Sequence, residues 1–277
     1  MSAHEIYERD ASGSPTRVGL IGCGAIGRPI ARALRDGLIT GCDLSGILTR
    51  SQRRDDMAAV TVRSIDDLVD RSDLVVEAAG HTALADFGPA VIESGTDLLV
   101  LSVGALADDQ LFDRVSQENG GRLLISTGAV GGLDILAAAM LAAPLSLVSL
   151  TSRKASRVLV RPWMRAELQH ALSAQNGETE AFNGPARRAV ELFPESANIA
   201  ATLALATVGF DRLQVRMVGV SDGTQVEHRV NAVGSAGSYE FVFRNRPSES
   251  NPRTSAITPF SVMRALCRLR ARTIVGF

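Results

Sequence analysis

The chain has 277 residues, 45% hydrophobic and 21% charged, with a formal net charge of -1. At roughly 150 residues per domain, that length predicts about two globular domains with a sizeable core and no need of disulfides. A balance of 29 Lys plus Arg against 30 Asp plus Glu excludes a broadly basic nucleic-acid footprint, and 4% aromatics leave little for single-strand stacking.

In chain order, residues 1–16 are polar, contain Gly13 and Pro15, and read as a flexible lead that includes His4. No apolar h-region opens the chain, so a cytoplasmic location without a membrane segment is expected. A strand over 17–21 runs into a glycine turn over 22–27 and a helix over 28–35. Strands follow at 44–48, 74–77, 98–101 and 122–125. Between them lie helices at 64–69, 83–94 and 107–119, the first capped by Ser64 with Asp67 three residues on. This alternation predicts a parallel sheet covered on both faces. The apolar run 133–150 reads as a buried helix followed by a strand. Thereafter strands at 147–151, 213–218, 225–232 and 238–244 alternate more openly, with helices at 185–192 and 197–208. A helix over 259–270 closes the chain. The expected fold is α/β: an N-terminal Rossmann-type parallel sheet over 17–133, then a mixed α/β catalytic and dimerisation domain over 134–250. Residues 251–277 are expected to return to the first domain.

The strongest motif is Gly22-Cys23-Gly24-Ala25-Ile26-Gly27, placed between a strand and a helix. Gly22 suits the tight turn, Gly24 lets backbone approach a pyrophosphate, and Gly27 permits close helix–strand packing. Ala25 and Ile26 lie at the helix N-terminus, whose amides favour an anion. No Asp or Glu stands where the ribose 2'-hydroxyl is usually met, and Asp43 comes too early. Arg50 and Ser51, with Arg53 or Arg54 nearby, could hold a 2'-phosphate, so the cofactor reads as NADP or NAD. A solvated basic loop is the competing reading. Further small-residue turns follow later strands. Ala79, Gly80 and His81 form one, Ser102 and Gly104 another, and Ser126 and Thr127 a third. All sit where such sheets bind ligands.

Several segments together resemble the L-aspartate dehydrogenase family. They are Gly22 to Gly27, Leu101-Ser102-Val103-Gly104-Ala105-Leu106-Ala107-Asp108, and Ser126-Thr127-Gly128-Ala129-Val130-Gly131-Gly132-Leu133-Asp134. Thr151-Ser152-Arg153-Lys154, Phe182-Asn183-Gly184-Pro185, Asn198-Ile199-Ala200-Ala201-Thr202 and Asn251-Pro252-Arg253-Thr254-Ser255 continue the series. The resemblance implies a homodimer that oxidises L-aspartate with NAD(P) to iminoaspartate, and then to oxaloacetate and ammonia. It places cofactor contacts at Ala129 and Asn198 and the catalytic histidine at His228, with Gly234 and Gly237 spaced behind it. Val226 departs from the family's usual Asn two residues before that histidine.

A neutral imidazole suits the proton handling of amino-acid oxidation, so His228 is the expected catalytic residue. His81 is the rival, and His170 reads as solvated. A dicarboxylate substrate wants fixed cations, with Arg153, Lys154, Arg187, Arg188 and Arg253 as candidates. Lys154 is the best placed, although a surface ion pair would explain any one of them. Asn198 could meet nicotinamide or substrate, or cap a helix. Ser126, Thr127, Thr254 and Ser255 complete the expected substrate contacts. The Cys and His spacings suggest no metal site. Two alternatives stay open. One is an NADP-dependent dehydrogenase or imine reductase acting on another small amino or keto acid. The other is a non-catalytic dinucleotide sensor.

Overall fold

The computed structural model describes residues 14–50, 56–174, 177–221 and 224–274. Residues 1–13 of the lead expected over 1–16, with His4, and the candidates Ser51, Arg53 and Arg54 lie outside the described residues, and Thr16 of that lead already belongs to a strand. The chain divides into two compact units. One runs to Gly128 and resumes at Thr258, and the other is Ala129–Ile257.

The first unit is a six-stranded parallel sheet. Its strands are β1 (Thr16–Ile21), β2 (Cys42–Leu48), β3 (Thr61–Val62), β4 (Leu74–Glu77), β5 (Asp97–Val100) and β6 (Leu123–Ile125), in the order β3-β2-β1-β4-β5-β6. Val18, Leu20, Leu74, Val75 and Val76 are at most 1% exposed, as expected of strands covered on both faces. Burial of each such side chain stabilises by roughly 1.5–3 kcal/mol. The strand order reverses between β1 and β4, which opens a crevice at their carboxyl ends. The helices are α1 (Gly27–Arg35), α2 (Ile65–Val69), α3 (His81–Glu93) and α4 (Asp109–Val115). Ser64 caps α2 by accepting from the Asp67 amide at 3.1 Å, the contact its spacing predicts.

Several elements differ by a few residues from their expected bounds, and for two of them the local reason is plain. The helix expected over 107–119 is shorter, Asp109–Val115: a 3-10 turn ends at Ala107, and Asp108 then caps α4 by accepting from the amides of Gln110 and Leu111. Helix α3 starts two residues early, at His81, because Gly80 adopts φ 124 at its cap.

The second unit holds α5 (Leu133–Ala142), β7 (Leu147–Ala155), α6 (Ser156–Leu159), α7 (Ala166–Ala174), β8 (Glu178–Pro185), α8 (Ala186–Leu192), α9 (Asn198–Ala206), β9 (Gln214–Val220), β10 (Val226–Gly234) and β11 (Gly237–Asn245). Its sheet order is β11-β10-β7-β9-β8, with only β7 and β9 parallel. One face is buried: Val148, Leu150, Ser152 and Lys154 on β7, Met217 on β9, and Val226, His228, Val230 and Ala232 on β10. The other face carries ion pairs across strands. Arg153 bridges Glu178 and Glu227, Arg216 meets Glu180, and Arg229 meets Glu240. Such exposed pairs contribute only about 0–1 kcal/mol each. Helix α5 is not the buried helix its composition suggests. It buries Leu136 and Ala139, while Ile135 and Leu141 stand 46% and 91% exposed. The final helix α10 (Thr258–Arg270) packs Val262 and Leu266 into the first unit's core beside Ile30 and Leu34.

Candidate active site

The glycine turn leaves β1 at Gly22, whose φ of +95 and close approach to the Ala78 carbonyl exclude a side chain. Gly27 meets the Gly22 carbonyl so closely that a Cβ has no room there, which lets α1 start hard against the turn. A Cβ at Gly24 would instead meet nothing within 4 Å, so the backbone there is open to a ligand. The turn lines a cavity of about 400 Å³, together with Leu48, Thr49, Arg50, Arg63, Ala78, Ala79 and Phe87. Among the described residues the lining offers two guanidinium groups and no carboxylate. A small-residue cradle, an open backbone and a helix N-terminus fit a dinucleotide. Arg63 escapes sequence reasoning because it follows the two-residue strand β3, thirteen positions after Arg50 and outside the loop normally inspected.

Glu77, at the end of β4, is fully buried. Its Oε1 accepts from the amides of Ala79 (2.7 Å) and Gly80 (2.8 Å) and from Ser102 Oγ (2.9 Å), and its Oε2 accepts from the Ser102 amide (2.9 Å). One carboxylate therefore ties the loops after β4 and β5 together. The amides of Ala79, Gly80 and Ser102 and the Ser102 hydroxyl are thus engaged by Glu77, which sets the shape of the turns they belong to. Ala79 still lines the cavity. Ser102 and Gly104 are buried, and His81 is the half-buried first residue of α3.

In the second unit, His228 on β10 lies directly across from Ser152 on β7. The two are 1% and 2% exposed, and His228 Nδ1 lies 2.9 Å from Ser152 Oγ. That hydroxyl has no other partner among the described residues. If the imidazole donated, both the hydroxyl proton and the Nε2 lone pair would lack partners, whereas donation by Ser152 leaves only the Nε2–H unpaired, and each buried unpaired group costs about 1–3 kcal/mol. Ser152 therefore donates to Nδ1, which puts the ring proton on Nε2. Nε2 makes no hydrogen bond among the described residues. Burial, and secondarily the charge of Lys154, push the imidazolium down to about 3, so the ring is neutral at physiological pH.

Lys154 lies two residues along β7 on the same face, 4% exposed. Its Nζ donates to the carbonyls of Ser196 (3.3 Å) and Arg253 (3.2 Å). Burial, then the charge of Arg161, lower its pKa from the ordinary lysine range to about 8. The surface ion pair weighed for Lys154 is therefore not what the structure shows. The Arg253 carbonyl comes from the polar turn 251–255, where Asn251 donates to Thr254 Oγ1 and Ser255 is buried. That turn is thus brought to Lys154.

The C-terminal aspartate dehydrogenase family model matches residues 134–269, and the NAD-binding domain model of homoserine dehydrogenase matches 22–125. The chain is 38% identical over 261 residues to the L-aspartate dehydrogenase of Ralstonia nicotianae, covering 90% of this chain and 96% of that one. It is 34% identical over 273 residues to that of Methanosarcina barkeri, covering 94% and 99%. The chain belongs to the L-aspartate dehydrogenase family. The crystal structure of the Thermotoga maritima aspartate dehydrogenase shares its fold, with a TM-score of 0.71 at 24% identity over 94% of this chain and 99% of that one. Family membership brings a nicotinamide dinucleotide as cofactor, for which the first unit carries the binding domain.

Other residues expected at the site of this L-aspartate dehydrogenase family member are placed as follows. Asn198 is the first residue of α9, and Ala197 holds the cap position, so Asn198 does not cap the helix. The Ala129 carbonyl accepts from Asn245 Nδ2 at 3.3 Å, and its side chain is buried. Ser126 and Thr127 line a separate cavity of about 580 Å³ beside β6 and α10, with Arg122, Arg264 and Arg268. Arg153 pairs with Glu178 and Glu227, Arg187 with Asp211, and Arg188 with Glu191. His170 is exposed. Val226 is buried on the face that carries His228. Among the described residues no group of three or more His, Cys, Asp or Glu could hold a metal ion, and no helix is long and apolar enough to cross a membrane.

Proposed function

We propose that this chain is an NAD(P)-dependent L-aspartate dehydrogenase. It oxidises L-aspartate to iminoaspartate, which hydrolyses to oxaloacetate and ammonia, and it can run in reverse as reductive amination. The observation that carries this reading is the buried, neutral His228, fixed by Ser152 so that Nε2–H is left for the substrate. When bound, the oxidised nicotinamide accepts the hydride lost from the substrate's Cα. The chain's own part is to bind, orient and manage protons. Gly22, Gly24 and Gly27 would cradle the pyrophosphate, and Glu77 sets the loops beside it. His228 would donate a hydrogen bond that orients and polarises the substrate at Cα. Asn198, Thr254 and Ser255 supply further polar contacts.

Arg50 and Arg63, with no carboxylate among the described residues of the lining, support use of NADP, because a 2'-phosphate needs cations where NAD's ribose needs an acid. The resemblance further supports a homodimer. The apolar side chains Ile135, Leu141, Leu147 and Val233, exposed on the second unit, agree with an interface there. Val226 favours one second reading, a dehydrogenase of the same mechanism for another small amino acid.

The test is the initial rate of NADH and NADPH formation over a panel of amino acids, with His228→Ala in parallel. Aspartate is expected to lead the panel. His228→Ala is expected to lower kcat by about 10²–10⁴-fold while dinucleotide binding survives. Another amino acid in the lead would favour the second reading, and unchanged turnover in the variant would remove His228 from the chemistry.

A further inference from the structure

Lys154 is the only lysine in a chain whose Lys plus Arg total is 29. Every other fixed cation is arginine, which holds its proton throughout the working pH range. The sequence thus keeps one cation that can give up a proton, and the fold buries it. Its surroundings define its state. On its own strand Ser152 shares its face, and from β10 come His228 and Val226. From β9 its register partner is Gly219, which brings no side chain. Arg161 adds a positive charge, and the turns at Ser196 and Arg253 present carbonyls. Glu195 is paired with Arg253, so no described carboxylate pairs with the amine.

A neutral lysine amine has two N–H donors and one lone pair. Two carbonyls engage the two donors, which leaves the lone pair without a partner. His228 cannot play this part, because its Nδ1 is occupied by Ser152 and its Nε2 carries the proton. A diagonal cross-strand neighbour sits roughly 7–8 Å away, a distance one small substrate spans.

We propose that Lys154 is a catalytic residue, the proton acceptor for the substrate's amino group, with Ser152 the positioning residue that keeps His228 a donor. The proposal rests on the amino-acid dehydrogenase reading above. The substrate's ammonium passes one proton to Lys154 Nζ, giving a free amine and a lysine ammonium. The Cα–H bond then breaks and the hydrogen leaves with its electron pair, as the hydride that a bound oxidised nicotinamide would accept, while the nitrogen lone pair forms the C=N bond of the protonated imine. Water adds to that carbon, and ammonia departs as the carbonyl forms. The lysine returns its proton to solvent or to the departing amine.

One lysine makes the test direct. Protein grown on lysine carrying ¹³C at Cε gives a single lysine resonance, and its titration is read without cofactor or substrate. The expected midpoint is near 8, and a midpoint in the ordinary lysine range overturns the proposal. In ¹⁵N-histidine-labelled protein, His228 is expected as the Nε2–H tautomer in the wild type, and Ser152→Ala is expected to lose that preference. An Nδ1–H form in the wild type overturns the positioning role.

In kinetics, kcat/KM for aspartate is expected to fall tenfold per unit below the Lys154 midpoint. Lys154→Met is expected to lose about 10²–10⁴-fold and this limb with it. Lys154→Arg, which keeps charge but cannot accept a proton, is expected to be as inactive while melting within a few degrees of wild type. If arginine restores a tenth of the rate or more, the residue only binds a carboxylate and the proposal falls. Should Lys154→Arg misfold, the resonance and the Lys154→Met profile still decide. If wild type acts on another amino acid in place of aspartate, the substrate reading fails and the same measurements on that substrate judge Lys154. Inactivity on every amino acid with both cofactors overturns both.

Discussion

Two arginines give the dinucleotide pocket its positive charge. Arg50 and Arg63 reach it from the ends of two neighbouring strands, and Arg50 alone was legible in the sequence. Arg50→Ala and Arg63→Ala are each expected to raise KM for NADP about tenfold, the equivalent of ~1.4 kcal/mol, with little change for NAD. Equal effects on both cofactors, measured in parallel saturation curves, would place these arginines on the shared phosphates. Ser152 shows why residue roles are harder to read than motifs. A strand serine is unremarkable until register sets it across from His228. Glu77 is a comparable case, since an acid at a strand end reads as solvated until four donors from two loops converge on it.

At the scale of elements, strand–turn–helix units with strong apolar periods were legible, and departures occur where local polar groups intervene. Asp108 moves the start of the helix expected from 107 to Asp109 by capping it there. Strand β8 was not anticipated, because Glu178, Glu180, Gly184 and Pro185 are poor strand formers. It forms at the edge of its sheet, where only one side is paired, and it carries an irregularity between Glu180 and Phe182. The loops after β4 and β5 owe their shape to Glu77. Glu77→Gln replaces one acceptor oxygen by a donor and sets it against amides. It is expected to destabilise the protein by about 1–3 kcal/mol and to weaken dinucleotide binding, read by thermal melting and by cofactor titration. An unchanged cofactor affinity would mean that the two loops hold their shape without it.

For the molecule as a whole, a buried neutral histidine links folding to acidity. The native imidazole has its pKa pushed down to about 3, whereas an unfolded chain's imidazole takes a proton near 6.5. The unfolded state therefore binds the extra proton as pH falls. The His228 contribution is complete above about 6.5 and is lost progressively toward about 3. Denaturant midpoints measured from pH 7 to pH 4 are expected to fall, and His228→Asn to flatten that slope. A variant with the wild-type slope would assign the acid sensitivity to other groups.

The burial of the only lysine has a consequence outside catalysis. A protease that cleaves only after lysine has one bond to find in this chain, between Lys154 and Ala155. That bond lies at the end of a central strand, with both residues buried. Fraying loops offer such an enzyme nothing. Only opening of the second sheet exposes the bond, and the cut then separates residues 1–154 from 155–277 in one event. Digestion by that enzyme accordingly counts openings of this sheet, and little else.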